Sequence, residues 1–448
     1  MNGLFQAGGL SGVLVAGWQA DKLGRCKAIL ISTFITIIGS ALQAGSVHIG
    51  MFLAARFITG FGVGGLVMLI PLWQSEVAPP FSRGLLVGLH GVSILIGYNL
   101  SNWIGYGFFF VNASGAQWRI PLAIQIIPAL VLGCGILSIP ESPRWLVENN
   151  RSETAKTILE RIHKDPRNPD NDFARREFQQ IETQLVFEKT LPSSWKSLFT
   201  VPQYRKRVWI GMLTMFAGQF TGTLVVANYG PSIYASLGYG PSQRLLISCG
   251  WITEGLFANV INAFLLDRVG RRWLLTIGLG GCAVALLGEI IMVALFQGTK
   301  NNAGNSAAVF FLFLHLAFYG SCIDASTYVF AAEIWPTHLR AKGFAVSVSG
   351  LFIGSLILLV AAPTGFENLG WKFYLVMLVV TVVNTIIVAV FFPETKGLPL
   401  EEIAALFGDD MVTDWPHATV VHGLDETSET SAPNGDIEKG EAKGRVML

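Results

Sequence analysis

The sequence predicts an all-α membrane protein made of two similar halves, and two features of its composition carry the first part of this prediction. The mean hydropathy is +0.51 and only 14% of the 448 residues are charged, which excludes an ordinary soluble domain. The apolar residues also come in runs of roughly 20, the length at which a helix crosses ~30 Å of hydrocarbon. The net charge of +1 gives no reason to expect a nucleic-acid partner.

Eleven apolar runs follow one another along the chain. A single run could be a buried helix of a soluble protein, but eleven in succession exclude that alternative. We therefore predict 11 transmembrane helices. They cover residues 3–20, 28–47, 49–73, 84–110, 120–139, 208–235, 245–266, 273–296, 307–331, 343–362 and 371–392.

The second half repeats the motifs of the first in the same order, about 250 residues later. Each motif stands at the end of an apolar run, and a set repeated at one offset indicates a tandem duplication. The repeated segments are Asp21-Lys22-Leu23-Gly24-Arg25 with Asp267-Arg268-Val269-Gly270-Arg271, Glu76 and Arg83 with Glu333 and Arg340, and Pro140-Glu141-Ser142 with Pro393-Glu394-Thr395.

Basic residues concentrate in the loops that hold these motifs, which assigns those loops to the cytoplasm. Residues 1–140 then form an N-terminal bundle and 208–395 a C-terminal bundle. Between them, 141–207 is a polar cytoplasmic linker with short helices expected at 151–163 and 173–189. The tail, 396–448, is cytoplasmic and its composition predicts disorder over most of it. Eleven spans would leave the N-terminus outside, so we expect that a first helix is missing.

Over residues 3–407 the motif set resembles that of the sugar porter family of the major facilitator superfamily. The amino-acid sequence around Glu333 resembles that of the fungal members. The resemblance implies the major facilitator fold, two pseudo-symmetric bundles with twelve helices, of which this chain would lack the first. It also implies carbohydrate transport without a cofactor. The residues that carry it are Asp21, Gly24, Arg25, Arg56, Gly60, Gly62, Gly64, Glu76, Arg83, Glu141, Arg144, Gln219, Asp267, Gly270, Arg271, Glu333, Arg340 and Glu394.

The resemblance further implies a cytoplasmic gate built from the repeated charges. Exposed Arg–carboxylate pairs contribute only about 0–1 kcal/mol each, so a set of them could hold one state and still release it. The alternative is that the basic residues only mark topology. The predicted gate comprises Asp21, Arg25, Glu76, Arg83, Glu141, Arg144, Asp267, Arg271, Glu333, Arg340 and Glu394.

Three ionisable residues inside the apolar runs, Arg56, Asp324 and Glu254, are predicted to take part in proton coupling. A lone arginine in a span costs at least ~2.5–3.5 kcal/mol on insertion scales and needs a partner. In proton-coupled members of the resembling family, an aspartate on the first helix faces this arginine. Either Arg56 is unpaired here, or the sequence is an incomplete gene model.

The predicted substrate wall departs from the family pattern. Gln219 is retained, but glycine stands at 91, 218, 255, 320 and 354, where family members carry larger side chains, most of them polar. This favours a widened cavity and a disaccharide or glycoside over a hexose; the alternative is close helix packing. The wall is predicted to comprise Gln219, Thr221, Thr223, Asn228, Tyr229, Tyr328, Asp324 and Asn99.

Together these features predict a multi-pass plasma-membrane carrier that moves a carbohydrate with a proton by alternating access. Its predicted partners are a sugar, a proton and the lipid bilayer. The alternatives are a transporter-like nutrient sensor, which the short tail disfavours, and a polyol or organic acid carrier. No metal cluster, nucleotide loop or nucleophile–base set stands out in the sequence, so no enzyme activity, metal or cofactor is predicted.

Overall fold

The computed structural model describes most of the chain. The described residues are 2–78, 83–111, 115–163, 172–188, 191–299, 301–398, 403, 405–408, 411–413 and 419–421.

The first half is a bundle of long helices. Its elements are α1 (Asn2–Leu23), α2 (Arg25–Ala44), α3 (Ile49–Val77), α4 (Arg83–Phe109), α5 (Ala116–Ile124) and α6 (Ile126–Gly135). Both α1 and α2 pack along α3. The α1–α3 crossing is close because a Cβ at Gly8 or Gly12 would lie 2.2 or 2.0 Å from a carbonyl oxygen of α3. Small residues at such crossings let membrane helices pack backbone to backbone.

The linker contains the two helices predicted from its sequence, together with two short ones. They are α7 (Pro143–Glu148), α8 (Ser152–Ile162), α9 (Asp172–Glu188) and α10 (Ser197–Thr200). Apolar residues on one face of each of the first three helices form a small core of their own, which includes Trp145, Leu159 and Ile181. The linker is therefore a folded layer beside the membrane bundles.

The second half repeats the first, with two interrupted helices. Its elements are α11 (Pro202–Phe220), α12 (Thr223–Ser236), α13 (Pro241–Val269), α14 (Arg271–Phe296), α15 (Asn302–Phe318), α16 (Asp324–Glu333), α17 (Arg340–Leu369) and α18 (Phe373–Phe391). The chain breaks between α11 and α12 at Thr221–Gly222, and a π-helical turn, Tyr319–Ile323, joins α15 to α16. Irregular backbone at membrane depth is tolerated where protein or a cavity surrounds it.

All eleven apolar runs lie on helices. Within the described residues, nine stretches are long and apolar enough to cross a membrane, and the last of these, Thr337–Phe391, holds both α17 and α18 in its 55 residues. The helix α1 is not among the nine. The multi-pass architecture is confirmed, and the count of eleven spans remains a prediction.

The halves meet along two helix pairs, α1 with α17 and α4 with α13. The tail adds two antiparallel strands, β1 (Met411–Thr413) and β2 (Thr419–Val421), with Val412 opposite Val420. Most of the tail predicted to be disordered lies outside the described residues. The end of the bundles that carries the repeated motifs is called the motif end below.

Candidate functional site

A buried ion pair fixes α2 to α3 at the motif end of the first half. The Nε and Nη2 atoms of Arg25 donate to the two carboxylate oxygens of Glu76 at 2.9 and 2.8 Å. The Nη1 atom of Arg25 donates to the carbonyl oxygen of Ala20 at 3.3 Å. The paired side chains are only 1% and 0% exposed. Removing one partner of such a pair leaves a buried charge and costs roughly 3–5 kcal/mol.

Glu141 caps the N-terminus of α2. Its Oε1 accepts hydrogen bonds from the backbone N–H groups of Arg25 at 2.9 Å and Ser142 at 3.0 Å. The N-terminal N–H groups of a helix lack partners within the helix, and the helix dipole favours a carboxylate there. Gly24 makes room for the cap, since its φ is +95° and a Cβ would lie 2.5 Å from Oε2 of Glu141.

The second half repeats the ion pair. The Nε and Nη2 atoms of Arg271 donate to Glu333 at 3.2 and 3.0 Å, and Nη1 donates to the carbonyl oxygen of Leu266 at 3.1 Å. Asp267 adds a second ion pair with Arg271 at 3.2 Å. Both side chains of the Arg271–Glu333 pair are 3% exposed. This pair joins α14 to α16.

The helix cap is repeated as well. Glu394 accepts from the backbone N–H groups of Arg271 at 2.9 Å and Arg272 at 3.1 Å. Gly270, with φ of +101°, corresponds to the glycine of the first half. The duplicated motif is therefore one structural unit used twice: a glycine that admits a capping carboxylate, and an arginine that pairs with the neighbouring helix.

Weaker contacts join the two halves at the motif end. Lys342 of α17 forms an ion pair with Asp21 of α1 at 3.0 Å, and these side chains are 17% and 25% exposed. The backbone N–H of Leu85 in α4 donates to the carboxylate of Asp267 in α13 at 3.1 Å. Partly exposed ion pairs contribute little to the free energy of folding. Breaking these contacts therefore costs less free energy than breaking one of the buried pairs. We call these two the inter-half contacts.

The remaining predicted gate arginines are Arg144, Arg340 and Arg83. Arg144 Nη1 lies 3.5 Å from the hydroxyl of Thr337 in the other half, and Arg340 Nη2 lies 3.3 Å from that same hydroxyl. Both arginines are buried. They converge on one hydroxyl across the boundary between the halves. The side chain of Arg83 lies outside the described residues.

A chain of buried polar side chains runs through the second half. The hydroxyl of Ser355 donates to Oε1 of Gln219 at 3.4 Å, and Nε2 of Gln219 donates to the hydroxyl of Tyr319 at 3.2 Å. Tyr319 in turn donates to Asp324 at 3.5 Å. The Nδ2 atom of Asn259 donates to the other carboxylate oxygen of Asp324. We call this the interior polar chain.

The π-helical turn explains why Tyr319 belongs to this chain. Residues five apart in an α-helix point about 140° away from each other, because each residue turns the helix by about 100°. The wider turn before Asp324 brings the side chain of Tyr319 to its carboxylate. Such turns are frequent at functional sites. Tyr328, also predicted, is buried and packs edge-on against the ring of His90, with centroids 5.3 Å apart.

The other predicted wall residues bond elsewhere in the protein. Thr221 and Thr223 are buried in the break between α11 and α12, whereas Asn228 is exposed. The structure thus brings Gln219 and Asp324 together and does not bond the rest to them. Their side chains form hydrogen bonds with other groups: Thr221 with the Gly218 carbonyl (2.8 Å), Thr223 with Thr221 (3.1 Å), Asn228 with Asn2 (2.8 Å), Tyr229 with the Leu359 carbonyl (3.0 Å) and Asn99 with Thr253 (2.9 Å).

The three residues predicted for proton coupling are not joined to one another. Among the described residues, Arg56 takes part in none of the ion pairs, and its guanidinium lies 5.2 Å from the ring centre of Phe52. Oε2 of Glu254 is buried and has no hydrogen-bond partner there. Of the three, Asp324 alone belongs to the interior polar chain.

The five glycines of the predicted widened cavity lie at close helix contacts. A Cβ at Gly91 would lie 2.8 Å from the side-chain oxygen of Asn259, and one at Gly320 would lie 2.8 Å from Ala258. At Gly255, Gly218 and Gly354 the nearest atoms would be 2.8, 3.3 and 3.2 Å away. In this conformation the glycines serve packing, as is common between membrane helices. The interpretation of these positions as open space is wrong for this conformation.

The family model described as "Sugar (and other) transporter" matches residues 1–407. The chain belongs to this sugar transporter family. The matched proteins are transporters, and so this family member is a transporter and not an enzyme.

Several curated relatives are similar over most of their length. The MFS-type transporter criB of Aspergillus cristatus is 34% identical, with 91% of this chain and 83% of that protein aligned. The sugar transporter STL1 of Saccharomyces cerevisiae is 30% identical over 90% of this chain and 71% of its own. A quinate permease of Neurospora africana is 30% identical over 90% and 78%.

Solved structures establish the fold of this sugar transporter family member as that of the major facilitator superfamily. The proton:xylose symporter XylE bound to 6-bromo-6-deoxy-D-glucose matches with a TM-score of 0.80 at 24% identity, covering 90% of this chain and 88% of that one. An inward-open form of the xylose transporter from E. coli matches with a TM-score of only 0.66.

Proposed function

We propose that the protein is a plasma-membrane symporter that moves a small polyhydroxylated solute together with a proton by alternating access. The interior polar chain is the observation that carries this proposal. Its amide, hydroxyl and carboxylate groups offer both donors and acceptors, which is what a solute with several hydroxyl groups requires. The family relationship supports solute transport, and the residues of the chain indicate the chemistry of the solute.

Asp324 is the proposed proton carrier. It lies within the candidate span Asn302–Glu333, and its partners in the described part of the chain, Asn259 and Tyr319, are uncharged. Acids placed within a membrane span mark proton and substrate pathways by default. Because Tyr319 also holds Gln219, a change in the proton on Asp324 alters the hydrogen bonds that Gln219 can offer to a solute. This link couples the two ligands.

A neutral solute fits this site better than an anion. The carboxylate of Asp324 repels a negative solute, and no Lys or Arg takes part in the interior polar chain. A monosaccharide or polyol is therefore favoured over an organic acid, although two relatives are named as quinate permeases. A disaccharide or glycoside was the finer prediction from the five glycines, and the close contacts at those glycines weigh against it.

Alternating access would use the difference between buried and exposed charge pairs. The buried Arg25–Glu76 and Arg271–Glu333 pairs hold each half rigid. The inter-half contacts, which are partly exposed or involve a single backbone group, would break when the motif end opens. Rigid halves that rock against each other are the motion expected of this fold.

Uptake into proteoliposomes tests the proposal. Purified full-length protein is reconstituted, an outside-acid pH gradient is imposed, and accumulation of labelled xylose, glucose, glycerol, a disaccharide and quinate is compared. We expect accumulation of a monosaccharide or polyol that a protonophore abolishes. The Asp324→Asn variant should lose accumulation while it retains solute exchange at equal pH. Accumulation by this variant, or preferred uptake of quinate or of the disaccharide, would contradict the proposal.

A further inference from the structure

A second buried acid lies in the C-terminal half, away from the interior polar chain. Glu289 of α14 is 0% exposed. Its neighbours along the helix, Leu286, Ile290 and Val293, are all buried and belong to two apolar clusters. Neither carboxylate oxygen of Glu289 has a partner at hydrogen-bond geometry among the described residues. Among the described residues it has no basic partner and is approached by phenol groups instead. A buried acid in such surroundings is a candidate proton-binding group.

A cavity of about 420 Å³ opens beside this acid at the end opposite the motif end. It lies between α12, α14, α17 and α18, and Ser232, Ser236, Gln297 and Trp371 line it. Glu289 follows Arg271 by 18 residues, which places it about 27 Å along α14 from the motif end. The cavity and the acid therefore belong to the same outer part of the bundle.

Tyr374 connects the cavity to the acid. Its side chain lines the cavity wall, and its phenol lies close enough to Glu289 to interact with the carboxyl group electrostatically. Val293, one helical turn beyond Glu289, lines the same wall. A cavity of this size with several polar groups in its lining can hold water molecules. Glu289 is thus one side chain away from a polar entrance.

The groups around Glu289 favour a proton over a metal ion as the species that this acid binds. The titratable side chains that face it are the phenols of Tyr234 from α12 and Tyr374 from α18. From α15, the Nε2 atom of His315 is turned to the carbonyl of Thr221 at 3.1 Å. No cluster of three or more His, Cys, Asp or Glu side chains occurs in the described part of the chain, so a metal ion would lack ligands.

We propose that Glu289 is a second proton-binding group, reached from the outer end of the bundle through the cavity beneath Tyr374 and separate from the route through Asp324. Its contribution to transport rests on the proposed symport, but its binding of a proton does not. A carrier with two acids in one half would take up protons at the outer face at two positions. The charge carried per solute would then depend on both.

Chemical labelling tests this proposal directly. Dicyclohexylcarbodiimide reacts with protonated carboxyl groups in apolar surroundings, and peptide mass spectrometry locates the adduct. In the purified full-length protein we expect labelling of Glu289 that falls about tenfold for each pH unit above its midpoint. The exposed Glu367 serves as the internal control that should stay unlabelled. The Ser236→Trp variant, which fills the cavity, should slow the labelling of Glu289 several-fold.

Glu289→Gln provides the matched variant, because glutamine keeps the shape of the side chain without a titratable group. It should lose the adduct, keep its melting temperature, and reduce proton uptake per solute in proteoliposomes. The proposal is overturned if Glu289 is never labelled, if labelling ignores pH, or if the filled cavity makes no difference. If solute uptake proves independent of protons while Glu289 labels as expected, the symport proposal fails and the proton site stands.

Discussion

Gln219 is the residue on which recognition of the solute is expected to depend most. It joins α11 to the π-helical turn through Tyr319 and to α17 through Ser355. Leaving a buried polar group without its partner costs roughly 1–3 kcal/mol, so Gln219→Ala should weaken solute binding by about one to two decades. Equilibrium binding to the purified protein measures this. Thr157→Ala is the control, since Thr157 is an exposed residue of the linker helix α8. An equal loss in both variants would contradict the assignment.

Glu148, at the end of α7 on the motif end, should make stability depend on pH. Burial raises the pKa of its carboxyl from 4.5 to about 7; the nearby Asp21 and Glu76 raise it as well, and Arg25 and Lys342 oppose the change. The folded state therefore holds a proton that the unfolded state releases. The stabilisation is fully present below pH 4.5 and is lost as the pH rises through about 7.

Thermal unfolding of the purified protein between pH 5 and pH 8 checks this expectation. The wild-type melting temperature should fall across that window, and Glu148→Gln should flatten the fall because it removes the titrating group. Glu153→Gln, at an exposed position of α8, should leave the fall as it is. A Glu148→Gln profile identical to that of the wild type would rule out this residue as the source.

The sequence identifies the repeated charges of the site but not the contacts that they and their neighbours make. The motif arginines and acids were identified because charge recurs at one offset. The capping role of Glu141 depends on a contact 116 residues away along the chain, which spacing cannot give. Tyr319 was missed because a π-helical turn changes the helical register on which the prediction relied.

At the scale of helices, removing one charge from either buried ion pair should destabilise the protein more than removing a charge from an exposed pair. Arg271→Ala leaves Glu333 buried without its partner and should destabilise the protein by roughly 3–5 kcal/mol. Arg25→Ala should have a similar effect through Glu76. Denaturant unfolding measures both. Replacing both members of a pair by apolar residues should recover most of the loss, and a double variant as unstable as the single one would refute the buried-charge argument.

The helices themselves were predictable because each apolar run is about 20 residues long, which is the length of a spanning helix and about twice that of a spanning strand. All eleven runs and both linker helices lie on helical segments of the structure. The interruptions within these helices were harder to predict from the sequence. At the interruption Thr221–Gly222, Gly222 has a φ of +92° and lies beside Met377 of α18, a contact that spacing along the chain cannot give. The packing role of the five glycines likewise requires knowing which helices cross.

For the whole molecule, the inter-half contacts should control conformation with little effect on stability. Lys342→Ala removes a partly exposed pair worth about 0–1 kcal/mol, so the melting temperature should change little. The population open at the motif end should nevertheless rise, because the lost contact exists only in the closed state. Accessibility labelling at the motif end measures this population in the Lys342→Ala variant. The control variant is Lys396→Ala, because the described hydrogen bond of the Lys396 side chain stays within its own half. Equal labelling in the two variants would count against this role.

The motif end is expected to close through the inter-half contacts and to open during transport. The most direct measurement is the distance between spin labels at Lys22 and Arg268, exposed positions that correspond in the two halves. Attaching the labels to a non-natural amino acid avoids labelling of the five native cysteines. We expect a short distance in the resting protein, a second longer one when solute and acid pH are supplied, and more of the longer one in Lys342→Ala. A single distance under all of these conditions would contradict the account.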